Sequence, residues 1–298
     1  MPKTDTAGTR FRTALAETKP LQIVGTVNAY TALMATGIGH RAIYISGGAC
    51  AHVSYGLPDL GMTSMNDVLE DARRITAVVE TPLLVDIDTG WGGAFNIART
   101  IKESINVGVA AVHIEDQVAQ KRCGHRPNKA IVSTAEMVDR ISAAVDARTD
   151  DSFFILARTD SAAAEGLQAS IDRASAYLEA GADGIFAEAM GSLDDYKSYA
   201  ALDAPLLANM TEFGMTPLFD LDDLATAGVN MILYPQTAAR AMHKAAETVF
   251  VDVLEKGHQR DNLDQMQTRD ELYRYLRYHE YEDKLDELFA AEESNSSI

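Results

Sequence analysis

Short apolar runs alternate with helically patterned segments along most of the chain. The runs occupy residues 21–27, 42–45, 82–85, 110–114, 153–157, 184–187, 205–208 and 230–233. Segments with helical spacing of apolar positions lie between them, for example at 67–79, 95–105, 135–147, 167–178 and 221–227. The runs are apolar at consecutive positions, so both faces of each strand are expected to be buried, as in a parallel sheet. Eight strand-then-helix repeats predict an α/β fold of the (β/α)8 TIM-barrel type.

Helix-capping sequences support this alternation. Ser64 precedes Asp67, and Ser133 precedes Glu136, by the three residues of a capping box. A helical segment near residues 11–17 adds an N-terminal helix to the predicted barrel. An open, doubly wound sheet remains the alternative, although the first strand lacks the glycine-rich phosphate-binding sequence typical of one.

Polar residues follow the predicted strands at the same end. They are Asn28, Ser46, Gly47 and Gly48, Asp86 and Asp88, Glu115 and Asp116, Arg158 and Asp160, Glu188, Asn209 and Thr211, and Tyr234. Strands commonly end in polar turns, so one such residue would indicate nothing. In a (β/α)8 barrel, however, the carboxyl ends of the strands and the following loops build the active site. The recurrence of charged residues there favours an enzyme.

Two carboxylates at the end of the third strand suggest a metal site. Asp86 and Asp88 are two residues apart, which places them on one face of an extended chain. A divalent cation would relieve the repulsion between them, and oxygen-only ligands suit Mg²⁺, or alternatively Mn²⁺. Pairs of aspartates are also common in ordinary strand-end turns, so the spacing alone leaves both interpretations open.

Composition limits the range of functions. The chain has 298 residues, 47% of them hydrophobic, and it has no Pro/Gly/Ser-rich linker. This composition predicts one domain over 1–298. The barrel is expected at about 20–256 and a helical extension at 257–298. The net charge of −18 argues against nucleic acid or an anionic membrane as a partner. Two cysteines and the lack of an apolar signal core favour the cytoplasm.

Residues 121–129 hold the densest positive charge around a possible reactive group. Lys121, Arg122 and His125 surround Cys123, and the segment lies in a long predicted connection from about 116 to 133. Neighbouring cations can lower the pKa of a thiol, and a long loop can close over a bound anion as a lid. The alternative is a solvated basic loop in which the cysteine has no role.

The sequence Lys-Arg-Cys-Gly-His at 121–125 resembles the motif of the isocitrate lyase superfamily, and Arg-Pro-Asn-Lys at 126–129 is similar to its 2-methylisocitrate lyase branch. Isocitrate lyases usually have Lys at the position of Arg122. The resemblance extends from about residue 11 to 289. It implies a Mg²⁺-dependent lyase that cleaves the tricarboxylate 2-methylisocitrate to pyruvate and succinate, in the methylcitrate cycle of propionate breakdown.

The resemblance also implies roles for individual residues. Cys123 is the expected general acid, tuned by Lys121, Arg122 and His125, and Tyr44 is a candidate base. Asp86 and Asp88 match the metal positions, with Asp59, Glu115 and His113 in support. The expected substrate-binding residues are Ser46, Gly47, Gly48, Gly124, Arg158, Glu188, Asn209, Thr211, Arg240 and Arg269.

Three other functions remain open. Isocitrate cleavage to glyoxylate differs by one methyl group, which is worth only about 1 to 3 kcal/mol of discrimination. The pocket for that methyl is not identified, because Ala187, Gln236 and Ala239 depart from the pattern of close relatives. Phosphonopyruvate hydrolases and oxaloacetate decarboxylases of the same superfamily lack the cysteine motif, and a non-catalytic ligand-binding barrel would have no need of the acid and metal residues.

The C-terminal extension is amphipathic. Leu272, Tyr275, Leu276, Leu285, Leu288 and Phe289 recur near helical spacing. Since the superfamily exchanges C-terminal helices between subunits, the resemblance implies a homo-oligomer, most simply a tetramer. Thr268 and Glu271 form a capping box that places Arg269 in a first helical turn. A cation there is unfavourable and calls for an anion, either a neighbouring carboxylate or the substrate.

Overall fold

Eight parallel strands close into a barrel in the computed structural model, which describes residues 5–126 and 128–295. Pro127, part of the motif at 121–129, lies outside the described residues. The strands are β1 (Leu21–Gly25), β2 (Ala42–Ile45), β3 (Leu83–Asp86), β4 (Ala111–Glu115), β5 (Phe154–Thr159), β6 (Gly184–Ala187), β7 (Leu206–Asn209) and β8 (Met231–Tyr234). Each pairs with the next in chain order, and β8 closes the barrel on β1. The predicted TIM-type barrel is confirmed.

Helices surround the strands and extend beyond them. They are α1 (Ala7–Glu17), α2 (Ala29–Ile38), α3 (Gly47–Ala49), α4 (Met65–Thr76), α5 (Ala94–Asn106), α6 (Thr134–Asp146), α7 (Ala162–Glu165), α8 (Leu167–Glu179), α9 (Leu193–Ala200), α10 (Leu221–Thr226), α11 (Thr237–Lys256), α12 (Arg269–Leu276) and α13 (Tyr278–Asn295). A π-helical segment at Cys50–Ser54 continues α3, and a 3-10 segment at Arg260–Gln265 precedes α12. The extra N-terminal and C-terminal helices are therefore present.

Side-chain caps begin several of these helices at the residues that the capping sequences predict. Ser64 and Asp67 form a reciprocal capping box at α4. At α6 the Ser133 hydroxyl accepts the backbone N–H of Glu136. Thr268 caps α12 in the same reciprocal way, so Arg269 does open that helix. Each cap satisfies backbone donors that a helix end would otherwise leave unpaired.

The end of β1 differs from the prediction. The strand ends at Gly25 rather than Val27, because the backbone N–H groups of Val27 and Asn28 donate to the Thr31 hydroxyl of the next helix. Asn28 is the cap of α2. The sequence of α2 is apolar almost all round, so it shows no helical periodicity, and only the strand–helix alternation predicts a helix here.

The core has two layers, one inside the barrel and one between the strands and their helices. Phe11 of α1 is fully buried and joins the inner layer, with its ring centroid 5.3 Å from that of Phe154. Helix α1 thus packs at the end of the barrel where the strands begin. Polar residues occupy the opposite end of the barrel, where the strands finish.

Contacts group the chain into two compact units, Met1–Arg240 and Ala241–Ile298. The first holds the barrel, and the second holds most of α11 together with α12 and α13. A single domain over 1–298 stays a prediction. Among the described residues, no helix is both long and apolar enough to cross a membrane.

Candidate active site

Side chains alternate between the inside and the outside of the barrel along each strand. At the carboxyl ends of the strands, the side chains that point inward are mostly polar. In β3, β5 and β7 an interior leucine is followed two residues later by a polar residue that points the same way. The inward positions at this level, all buried, are Tyr44, Asp86, His113, Glu115, Arg158, Phe186, Asn209 and Leu233. The barrel geometry thus brings the polar strand ends together at one site.

The two aspartates after β3 are held by backbone donors. Asp86 Oδ2 accepts the N–H of Gly47 at 3.0 Å, and its Oδ1 accepts the N–H of Asp88, also at 3.0 Å. Asp88 has a φ of +48°, in the left-handed region, so the chain turns here and is not extended as the spacing suggested. The turn folds Asp88 back toward Asp86 and keeps both carboxylates buried.

Lys121 neutralises part of this negative charge. Its Nζ lies 2.5 Å from Asp88 Oδ1 and 2.9 Å from Asp59 Oδ1. Burial, reinforced by the charge of Asp86, raises the pKa of Asp88 to about 6. The lysine belongs to the loop after β4, so this ion pair ties the loop to the end of β3.

Asp86 remains ionised despite its burial. Burial alone would raise the pKa of Asp86, but neighbouring positive charge lowers it to about 2. Burial also lowers the pKa of His113 to about 4, which leaves that imidazole neutral at pH 7. We therefore attribute the ionisation of Asp86 at neutral pH to Lys121 and Arg158.

Tyr44 and His113 form a buried pair. The Tyr44 hydroxyl lies 2.9 Å from Nε2 of His113, and the two rings are stacked. Burial, with the nearby charge of Asp86, raises the pKa of Tyr44 well above its usual value. The phenol is thus a neutral hydroxyl in the resting protein, and the imidazole is the group placed to exchange a proton with it.

Arg158 is surrounded by three carboxylates. Its Nε donates to Asp160 Oδ2 at 2.9 Å, its Nη1 lies 3.3 Å from Glu115 Oε2, and its Nη2 lies 3.8 Å from Glu188 Oε1. Burial raises the pKa of Glu115 well above its usual range, whereas Arg158 and His125 outweigh burial and lower the pKa of Glu188. The guanidinium also lies over the ring of Phe186, 5.1 Å from its centroid.

Hydrogen bonds assign the proton of His125. The backbone N–H of Met215 donates to Nδ1 at 2.9 Å, so the proton of the neutral ring is on Nε2. That N–H points to Glu188 Oε1 at 3.0 Å. The Nδ2 group of Asn209 also donates to Glu188, at 3.2 Å from Oε2. His125 therefore links the loop after β4 to the loop after β7.

The loop after β4 is anchored at its base and at its centre. Gln117 pairs with Ile131 as an isolated antiparallel bridge, which closes the base. The Gln117 amide then donates to the Arg122 carbonyl at 2.9 Å and accepts the Arg122 N–H at 3.0 Å. Arg122 is thus fixed through its backbone, while its side chain is exposed.

The state of Cys123 differs from the prediction. Its pKa is raised, first by burial and further by the carboxylates of Asp59 and Glu188, and is not lowered by the basic residues beside it. The reason is that Lys121 and His125 are committed to carboxylates. A protonated thiol results, which is the state that a general acid requires.

Glycines allow the loops to approach the charged groups. A Cβ on Gly47 would lie 3.0 Å from Asp88 Oδ1, and one on Gly48 would lie 2.8 Å from Asp59 Oδ2. Ser46 precedes them, and its hydroxyl accepts the N–H of Ala49 at 3.3 Å. The predicted small-residue turn therefore packs directly against the carboxylates.

These groups surround a small cavity of about 60 Å³. Its wall includes Tyr44, Ser46, Asp59, Asp86, Lys121, Arg122, Cys123, Gly124, His125, Arg158, Phe186, Glu188, Asn209, Thr211, Leu233, Pro235 and Gln236. A larger cavity of about 560 Å³ lies beside α5 and α6, near Glu136, Asp139 and Arg140. The smaller cavity has the thiol, Arg158 and two of the aspartates on its wall, and we take it as the candidate active site.

Four of the predicted substrate-binding residues are not on this cavity wall: Gly47 and Gly48, which pack against the carboxylates, and Arg240 and Arg269. Arg240, near the start of α11, has its Nε 3.4 Å from Glu212 Oε2 and its guanidinium over Phe213. Arg269 belongs to the second unit, at the start of α12. A role for any of the four in binding substrate stays a prediction.

Sequence reasoning missed the roles of Lys129 and Asp160 around the loop. Lys129 Nζ donates to the Gly124 carbonyl at 2.6 Å and to Asp160 Oδ1 at 2.8 Å. The sequence places Asp160 at a strand end and Lys129 within the motif, but nothing in it indicates that they pair. For the methyl pocket, Gln236 lies on the cavity wall, whereas Ala187 packs in the outer core.

The donor set fits a hard divalent cation. Such an ion is held by one or two carboxylates, with waters and substrate oxygens completing its shell. Asp86 and Asp88 supply two carboxylates, and neither oxygen of Glu115 has a hydrogen-bond partner among the described residues. Within the same part of the chain, no group of three or more His, Cys, Asp or Glu residues could hold a metal ion by itself. The residues therefore suit Mg²⁺ that keeps several non-protein ligands.

A closed barrel with ionisable groups at the carboxyl ends of its strands is the arrangement of a (β/α)8 enzyme. Residues 11–254 match the sequence model of the family described as phosphoenolpyruvate phosphomutase. A 2-methylisocitrate lyase of Shewanella oneidensis is 66% identical over 288 residues, covering 96% of this chain and 99% of the relative. The chain belongs to this phosphoenolpyruvate phosphomutase and isocitrate lyase family, as the motif at 121–125 predicted.

Solved structures agree with this assignment. A crystal structure of 2,3-dimethylmalate lyase, a member of the same superfamily, superposes with a TM-score of 0.87 at 34% identity, covering 94% of each chain. A complex of phosphonopyruvate hydrolase with oxalate and Mg²⁺ has a TM-score of 0.82 at 27% identity, covering 94% of this chain and 98% of the other.

Proposed function

We propose that this protein is a carbon–carbon lyase that cleaves 2-methylisocitrate to pyruvate and succinate. The observation that carries the proposal is Cys123, a thiol that burial keeps protonated on the wall of a cavity lined by an arginine and by aspartates. We infer the substrate from the sequence similarity to a 2-methylisocitrate lyase.

Substrate carboxylates would bind where positive charge and small residues meet. Arg158 lies on the cavity wall, with Asn209 and Thr211 beside it. Ser46 lies on the same wall, and its hydroxyl can donate to an anion. The two glycines after it lie against aspartates, and the N–H of Gly47 already donates to Asp86. Arg240 and Arg269 are further candidates if lid closure or a neighbouring subunit brings them to the substrate.

Asp86 and Asp88 would hold Mg²⁺, with Mn²⁺ as the alternative. Bound there, the cation would supply Lewis-acid chemistry, lowering the pKa of the substrate hydroxyl and polarising the oxygen that becomes the keto group. The presence of Mg²⁺ with phosphonopyruvate hydrolase supports this choice of metal.

The chain's own residues then move two protons. Tyr44 would accept the hydroxyl proton while it passes its own phenol proton to Nε2 of the neutral His113, 2.9 Å away. The carbon–carbon bond breaks in the same step, and its electrons pass to the succinate fragment. Arg158 would offset the charge that develops on that fragment. Cys123 would deliver its proton to the new carbanion-like centre, with Lys121, Arg122 and His125 fixing the loop that carries it.

Cleavage of isocitrate is the second candidate. The apolar part of the cavity wall, from Phe186, Leu233 and Pro235, favours a substrate with an added methyl group. Because one methyl contributes only about 1 to 3 kcal/mol, the preference must be measured.

We also propose a cytoplasmic homotetramer with exchanged C-terminal helices. Both cysteines are free thiols, as expected in a reducing compartment. The exposed apolar residues of the second unit, which include Phe250 and Leu254, would be covered by a partner subunit.

A coupled assay tests the reaction. The purified protein with Mg²⁺ receives 2-methylisocitrate or isocitrate separately, and the keto product is identified. Pyruvate formation with the higher kcat/KM is the expected result. A preference for isocitrate with release of glyoxylate would reassign the enzyme, and no turnover of either compound would reject the proposal.

The role of the thiol is tested with a matched pair of variants. Cys123→Ser should lower kcat about 10²- to 10⁴-fold, the usual contribution of a general acid. Cys50→Ser is the control, since Cys50 is buried beside Asp71 and is not on the cavity wall. Equal rates for Cys123→Ser and the parent would exclude the thiol as the acid.

A further inference from the structure

We propose that Lys129 is a positioning residue that holds Cys123 over the cavity, a role that rests on the proposed function of that thiol. Lys129 makes two contacts through one ammonium group. Its Nζ donates to the carbonyl of Gly124, the residue after Cys123, at 2.6 Å, and to the carboxylate of Asp160 at 2.8 Å. The first partner is on the loop and the second is at the end of β5.

Asp160 is a rigid anchor for this contact. Its side chain is fully buried, its backbone N–H donates to Asp116 at 2.8 Å, and its carboxylate accepts two bonds from Arg158. Lys129 therefore connects the loop to the same carboxylate that orients the arginine of the active site. The lysine side chain is only 6% exposed, so water competes little for these bonds.

Gly124 is held from two directions. On one side its Cα packs against Glu188 and Arg158, where an added Cβ would lie 2.3 Å and 2.4 Å from their polar atoms. On the other side its carbonyl accepts a hydrogen bond from Lys129 Nζ. The Cys123 carbonyl also accepts the Arg126 N–H in a turn across this residue. Removing the lysine would leave the Gly124 carbonyl without its link to the end of β5. The position of the adjacent thiol depends on both contacts.

The test uses the reactivity of Cys123, which does not depend on the identity of the substrate. Lys129→Met removes both hydrogen bonds and keeps most of the side-chain stem. Loss of charge-assisted hydrogen bonds should raise the alkylation rate of Cys123 by iodoacetamide about tenfold, because the loop opens more often. Peptide mass spectrometry follows Cys123, and the peptide with the buried Cys50 reports any general loosening.

Two further variants sharpen the result. Lys129→Arg keeps a cation within reach of Asp160, although a guanidinium is larger than the ammonium, and Cys123 should react more slowly in it than in Lys129→Met. Lys197→Met makes the same chemical change in an exposed ion pair with Asp194 and should leave both cysteines unchanged. Turnover of the identified substrate should fall mainly in kcat for Lys129→Met, since the loop would close less often over bound substrate.

Three outcomes would overturn the proposal. These are an unchanged Cys123 alkylation rate in Lys129→Met, an equal rise at Cys50, and an arginine variant as reactive as the methionine variant. Failure of the parent to cleave 2-methylisocitrate would reject the proposed reaction, but the alkylation comparison would still decide whether Lys129 holds the loop.

Discussion

The Cα of Gly124 packs against the carboxylate of Glu188, and a Cβ at this position would lie 2.3 Å from Oε1. Glu188 is itself fixed by His125 and Asn209. Since real side chains do not approach a neighbour that closely, any larger residue at 124 must displace either the loop or the buried ion cluster. The contact thus makes the position of Cys123 depend on charges at the ends of β5 and β6.

Gly124→Ala is therefore expected to impair turnover far more than stability. We expect kcat/KM to fall about 100-fold, because a shift of about 1 Å in a catalytic group has that effect. Gly93→Ala is the matched control, since a Cβ added at Gly93 would meet no atom within 4 Å and the φ of this residue is ordinary. Steady-state kinetics with thermal unfolding measure both quantities. Similar kcat/KM values for the two variants would contradict the importance of this contact.

The fold could be predicted from the sequence because the patterns that specify its strands and helices are local. Runs of apolar residues and capping pairs such as Ser64 with Asp67 lie within a few positions of each other. Once the barrel is recognised, its geometry places every strand end at one site, which is why Asp86, Arg158 and Glu188 could be identified together. Helix α2 follows only from the strand–helix alternation, because a uniformly apolar helix has no periodicity to detect.

The electrostatics of the site could not be predicted in the same way. The sequence shows Lys121 next to Cys123, but the lysine binds Asp59 and Asp88, which lie far away along the chain. The direction of the thiol's pKa shift follows from that tertiary pairing and from burial. The contact between Lys129 and Asp160 cannot be predicted from the sequence either, because it forms only where the fold places the loop beside the end of β5.

The raised pKa of Cys123 predicts how its reactivity changes with pH. Burial disfavours the thiolate, so less of it is present at pH 8 than for an exposed cysteine. The alkylation rate of Cys123 should still be rising above about pH 8.5, where a free thiol is already half ionised. A synthetic peptide of residues 118–126 is the unfolded reference. A plateau for the protein at a lower pH than for the peptide would show that the shift has the opposite direction.

Asp88→Asn is predicted to abolish the stabilisation of the protein by Mg²⁺. Binding to the native state should stabilise the parent by about 2.7 kcal/mol when the cation is at 100 times its Kd. The variant loses a charged ligand at the predicted site and should show no rise in Tm with Mg²⁺. Asp194→Asn, an exposed aspartate paired with Lys197, should respond as the parent does. If Asp88→Asn gains as much in Tm as the parent, the cation binds elsewhere.

The second unit carries an apolar surface that predicts its assembly. On α11, Phe250 and Leu254 are 73% and 86% exposed and lie one helical turn apart on the same face. Burying two large side chains of this kind stabilises an interface by about 1.5 to 3 kcal/mol each. We therefore expect the parent to be a tetramer by light scattering after size-exclusion chromatography.

Replacing both residues with aspartate should shift the protein to smaller species, since each aspartate would lose hydration in the interface without gaining a partner. Lys244→Asp is the control, because it adds negative charge to another side of α11. A monomeric parent would reject the tetramer, and a tetrameric Phe250→Asp/Leu254→Asp variant would place the interface elsewhere. If the smaller species also loses kcat/KM while Cys123 alkylation is unchanged, the site needs a residue from the neighbouring subunit, and Arg269 is the first to test.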